Sequence, residues 1–69
     1  MFRDMKEVYK DIPKYRMRKF MTCEELADKI GVPEYYLRMV EKGCAELTMI
    51  EFMALCQVLE LDPDEVLSK

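Results

Sequence analysis

The chain has 69 residues, with 51% hydrophobic and 36% charged residues and a formal net charge of −3. At this length folding buries only about 60% of the surface of the extended chain, so one small core and one domain are the limit. The composition is too apolar for a disordered segment. It is also too interrupted by charge for a membrane span, which needs about 18 or more apolar residues in a row.

In chain order, residues 1–12 place Phe2, Met5, Val8 (or Tyr9) and Ile12 at three- and four-residue spacing before Pro13 interrupts. Two readings stay open: a short amphipathic helix lying on the domain or on a second subunit, or a frayed arm. No apolar stretch of the secretory kind opens the chain, and no leader is expected. Charges in this stretch cancel, Arg3, Lys6 and Lys10 against Asp4, Glu7 and Asp11. Residues 13–20 hold Lys14, Arg16, Arg18 and Lys19 with no acid, a dense basic cluster that reads as a solvated helix face or a phosphate clamp. Residues 21–69 carry four bases against eleven acids, a balance of −7.

Three helix starts follow. Thr22 precedes Glu25 by three residues, Thr48 precedes Glu51, and Asp62 precedes Glu65 with Pro63 in the first helical position. In such a box the first side chain accepts an orphan backbone N–H and the acid accepts the N–H of the capping residue. The two glycines, Gly31 and Gly43, follow apolar periodic runs and mark helix stops. Helices are expected at 13–20, 23–30, 33–42, 49–59 and 63–67, with no strand. Leu26, Ala27, Ile30, Leu37, Val40, Phe52, Leu55, Cys56, Leu59, Leu61, Val66 and Leu67 form the expected core, with Tyr36 at its border and Met17 and Met21 filling gaps.

The chemistry of catalysis is thin. There is no histidine, no glycine-rich phosphate loop and no CxxC among Cys23, Cys44 and Cys56. No enzyme, metal or cofactor is expected, and the thiols suit a reducing, cytoplasmic setting. Cys23, at a solvent-facing helix start, would have its thiol pKa lowered by the helix dipole.

The segment Thr22-Cys23-Glu24-Glu25-Leu26-Ala27, then Gly31-Val32, then Val40-Glu41-Lys42-Gly43 resembles the Cro/phage-repressor type of helix-turn-helix, the Xre family. The closing stretch from Ala54 to Leu67 is similar to that family's last two helices, so the resemblance covers about Ile12 to Leu67. It implies an all-α, five-helix lambda-repressor-like domain over 13–69, preceded by the arm or helix of 1–12. It implies a structural ion pair between Arg16 and Glu41, and a helix 33–42 that enters the major groove of double-stranded DNA. Tyr35, Arg38, Met39 and Lys42 would share the reading face with Glu34 at its entry. Arg38 would read guanine, and Glu34 would accept from cytosine. Tyr35 would meet a thymine methyl or a phosphate, and Lys42 and Lys29 would meet phosphates. The implied DNA-facing set also takes in Lys14, Arg18, Lys19, Thr22, Cys23 and Pro33.

The chain departs from the family pattern at Cys23, where glutamine is usual, and at Pro33, where serine or threonine caps the reading helix. It departs again at Cys44, where a base is common. Glu34 lies one turn before Arg38, so the two can simply pair. The function implied is a sequence-specific transcriptional regulator acting as a homodimer, with Phe2–Ile12 or the C-terminal helix as dimer surface. The acidic balance of 21–69 and the Tyr35/Met39 face keep open a protein-interaction module that partners another regulator.

Overall fold

A computed structural model describes residues 4–68, and Phe2 lies outside them. Six helices follow in order: α1 (Met5–Lys10), α2 (Ile12–Arg18), α3 (Cys23–Ile30), α4 (Glu34–Glu41), α5 (Met49–Val58) and α6 (Pro63–Leu67). Only Asp11 separates α1 from α2, so the pair forms one bent arm ahead of the helix-turn-helix. Pro13 lies inside the first turn of α2, where its missing N–H has no partner to lose.

The starts are built as their residue types dictate. Thr22 and Glu25 close a reciprocal box, with Glu25 N–H donating to Thr22 Oγ1 at 3.1 Å and Thr22 N–H to the Glu25 carboxylate at 2.9 Å. Thr48 and Glu51 repeat it at the same distances. At α6 the Asp62 carboxylate instead accepts from Asp64 N–H, two residues on, as a short aspartate side chain readily does. Pro33 starts α4 in extended geometry without a side-chain cap.

The ends of α2, α3, α4 and α5 share one device. Among the described residues four have positive φ: Phe20 (54°), Gly31 (83°), Gly43 (81°) and Glu60 (57°). At Phe20 the chain closes α2 with a Schellman pair, Met21 N–H donating to Arg16 C=O at 2.9 Å and Phe20 N–H to Met17 C=O at 3.1 Å. The same pair closes α4 at Gly43 and α5 at Glu60. This explains why α2 stops at Arg18 rather than at residue 20. A left-handed residue with a Cβ costs about 1–2 kcal/mol. Glu60 has an ion pair with Lys19 to set beside that cost. Phe20 is 95% exposed.

α3 is the hub, packed against α2, α4 and α5, while α1 packs on α2, α4 and α6. Leu26 and Ala27 are fully buried between Leu37 and Val40 of α4 and Phe52, Leu55 and Cys56 of α5. Val8, Tyr9 and Ile12 are buried in the same core, so α1 is a helix packed on the rest of the described residues. Tyr9 reaches its hydroxyl to the α4–α5 loop, where it accepts from Leu47 N–H at 3.2 Å. A buried tyrosine needs such a partner, and so does the loop amide.

Met17 corrects the expected core. It is exposed, and Met21 is half-buried. The reason lies on α2 itself: Ile12 and Arg16, four residues apart, face inward, which turns position 17 outward. Phe20→Gly should raise stability by about 1 kcal/mol, or roughly 4–8 °C in Tm, because glycine removes the left-handed strain and little packing is lost. Thermal denaturation followed by circular dichroism checks it.

Candidate nucleic-acid interface

One long-range ion pair orients the presented helix. Arg16 of α2 donates from Nε to Glu41 Oε2 at 2.9 Å and from a terminal nitrogen to Glu41 Oε1 at 3.1 Å, a two-pronged contact across 25 residues of chain. The Arg16 side chain keeps 19% of its exposure and Glu41 9%. The Glu41 hydrogen bond holds the Arg16 guanidinium above its ordinary pKa, so it stays charged. With Leu37 and Val40 inward and Glu41 tied to α2, the rotation of α4 about its axis is set.

That rotation leaves Tyr35, Arg38, Met39 and Lys42 exposed along the outside of α4. The expected pairing of Glu34 with Arg38 is present, one turn apart, at 3.0 Å from Nε and 2.5 Å from the terminal nitrogen. Beside it lies an open depression of about 580 Å³ lined by Arg16, Met17, Phe20, Met21, Thr22, Cys23 and Arg38. The turn between α2 and α3 therefore meets the outer side of α4, and it does so with apolar side chains. Met17 and Phe20 were absent from the expected site. Nothing local in the sequence marks residue 20 as a left-handed corner, because glycine is the usual signal and phenylalanine is not.

The basic cluster points elsewhere. Lys14 and Arg18 lie over the ring of Tyr15, at 5.5 and 5.6 Å from its centroid. Arg18 shares a recess with Glu60, Asp62 and Glu65, and Lys19 pairs with Glu60, whose carboxyl it holds below the usual range. Arg18 and Lys19 thus face the acidic α5–α6 corner, and neither they nor Lys14 line the depression that holds Arg38. Pro33 is exposed at the start of α4, and Thr22 is engaged in its cap.

Cys23 is corrected. Its side chain is buried, and burial, then the nearby Glu41 charge, push its thiol pKa up against the opposing pull of Arg16 and Arg38. It is a core group and not a solvent-facing thiolate at the groove. Among the described residues no cluster of three His, Cys, Asp or Glu could hold a metal ion. No helix among them is long and apolar enough to cross a membrane.

No family model and no curated protein matches the chain. Solved structures do. A crystal structure of the clp gene regulator ClgR from Corynebacterium glutamicum is similar with a TM-score of 0.81 and 25% identity, over 93% of this chain and 69% of that one. A second structure of the C. glutamicum regulator gives a TM-score of 0.79 and 24% identity, over 96% and 86%. The chain thus has the all-α helix-turn-helix fold of a gene regulator.

Two outcomes follow from this geometry. Glu41→Ala strands a half-dry guanidinium and should lower stability by about 2–3 kcal/mol, read as a shift of the urea midpoint at constant slope. Alkylation of native protein should modify Cys44 quickly and leave Cys23 and Cys56 protected until the chain unfolds, because both are buried with raised pKa values. Mass spectrometry of partly labelled protein counts the sites.

Proposed function

We propose that the protein is a transcriptional regulator of the Xre/Cro type, working in the cytoplasm as a homodimer that places α4 in the major groove of double-stranded DNA. The observation that carries this reading is the Arg16–Glu41 lock, which holds α4 with Tyr35, Arg38, Met39 and Lys42 outward. The fold shared with ClgR, a gene regulator, supports it. In this reading the protein is not an enzyme and needs no cofactor.

The Glu34–Arg38 pair does not prevent reading. An exposed pair one helical turn apart is worth about 0.3–0.5 kcal/mol. A two-pronged arginine–guanine contact discriminates by about 1–3 kcal/mol. Arg38 therefore gains by turning to a guanine, and Glu34, released, can accept from a cytosine amino group. Tyr35 and Met39 offer apolar contact to thymine methyls. Lys42 and Lys29 are the phosphate ligands on this side, Lys14 is a further candidate, and Arg18 and Lys19 join only if DNA wraps toward the acidic corner. Two to three phosphate contacts per copy give a weak monomer, which is why two copies on half-sites about 34 Å apart are part of the proposal.

A second reading has its own observation. Met17, Phe20, Tyr35 and Met39 are all exposed around an arginine already paired. Tyrosine, phenylalanine, methionine and arginine are enriched where proteins meet. On this reading the same face receives another regulator.

A fluorescence-anisotropy titration against fragments of its own operon, at two salt concentrations, separates the two. DNA reading predicts a log–log salt slope of about −4 to −5 for a two-copy complex, at 0.9 per neutralised phosphate. It also predicts that Arg38→Ala weakens specific binding roughly 5- to 150-fold. No salt-sensitive binding to any fragment, upstream region included, would move the assignment to the protein partner.

A further inference from the structure

Lys10 belongs to a stretch whose charges cancel along the chain, and nothing beside it in the sequence marks it as a ligand. The fold gives it other neighbours. It is exposed in the last turn of α1, and its side chain runs across the corner that closes α4: a Cβ placed on Gly43 would lie 3.4 Å from Lys10 Cε. The stem of Lys10 therefore lies along the Gly43 corner, next to the exposed Lys42 that precedes it in the chain. We propose that Lys10 is a phosphate-contacting residue of the DNA complex, gripping the backbone together with Lys42 at the C-terminal end of α4. This rests on the reading of α4 as the major-groove helix.

Three observations carry it. Position is the first. An eight-residue helix is about 12 Å long, about the width of the major groove. With the first turns of α4 at the base edges, its last turn comes to the groove wall, where the phosphates run. Rigidity is the second. Tyr9, next to Lys10, is buried and accepts the Leu47 N–H at 3.2 Å, and Tyr36 of α4 donates its hydroxyl to the Glu46 carbonyl of the same loop. Both α1 and α4 are thus tied to the segment that follows Gly43, and the Lys10 backbone is held against the end of α4. Availability is the third. Glu7 and Asp11 flank Lys10 in the chain and Glu46 lies in the loop, yet no ion pair among the described residues involves Lys10 or Lys42. Arg16, Lys19 and Arg38 are paired, and Lys14 and Arg18 lie over Tyr15. A compact ammonium on a flexible stem suits a phosphate as a point charge, whereas a base edge favours the fork of an arginine. The C-terminal ends of α1 and α4 also meet here, and their dipoles favour a cation without any DNA. Salt dependence tells that structural role from a phosphate contact.

Wild type, Lys10→Gln and Lys10→Arg are titrated by fluorescence anisotropy against the operon fragment and a scrambled duplex of equal length, between about 50 and 200 mM salt. Counting Lys10 steepens the log–log slope of a two-copy complex by about 1.8, to about −6 to −7. Lys10→Gln keeps most of the stem, loses the charge and should flatten the slope by that amount. Wild type then loses about 12-fold more affinity than this variant across the salt range. The effect should be equal on both duplexes, since a phosphate carries no sequence, and Lys10→Arg should keep the wild-type slope. An unchanged slope in Lys10→Gln overturns the proposal whatever happens to Tm, and so does a loss confined to the operon fragment. Those outcomes leave the DNA reading standing. A wild type that binds neither duplex overturns the DNA reading itself, and the assignment of Lys10 with it.

Discussion

The contact between Arg16 and Glu41 decides what this molecule can show to a partner. A short helix is free to roll about its axis until something distant fixes it, and α4 has only eight residues and no side-chain cap at its start. Its two buried positions, Leu37 and Val40, give it a floor. The two-pronged grip from α2 then fixes the roll, because a planar guanidinium matches a carboxylate in one orientation. Everything read from the outside of α4 follows from that roll. The pair is only half-dry, so its contribution is one of geometry as much as of stability.

The second constraint is how such short helices end. Among the described residues none exceeds ten residues, and segments of that length have little stability of their own in water, so packing and termini decide whether they form. Reciprocal boxes at Thr22 and Thr48 satisfy the starts, and left-handed corners satisfy the ends. Two corners use glycine without strain. The other two fall next to each other in space through the Lys19–Glu60 pair, so the α2 and α5 ends are stitched where the backbone is least comfortable. Phe20 is left projecting into solvent at one of them, beside the groove that borders Arg38.

Charge placement gives the molecule two unlike sides. Arg18 and Lys19 are drawn to the acids of the α5–α6 corner, and the α4 side keeps few cations among exposed methionine, phenylalanine and tyrosine. Affinity for a polyanion would then come from a few well-placed contacts rather than from a broad basic field.

Local chemistry was legible in the residues because its range is short. Caps act over three residues and helical faces over four, so Thr22, Thr48, Gly31 and Gly43 and the periodic core of Leu26, Ala27, Ile30, Leu37, Val40 and Phe52 could be read directly. Arg16 and Glu41 were reachable through family resemblance. Only the tertiary structure decided where Arg18 and Lys19 point, since that depends on acids more than forty residues away. It alone buried Cys23, turned Met17 outward, drew Val8 and Tyr9 into the core and left α5 with an apolar side uncovered. A periodic pattern names the faces of a helix. Which face is covered, and by what, is set by contacts far apart in the chain.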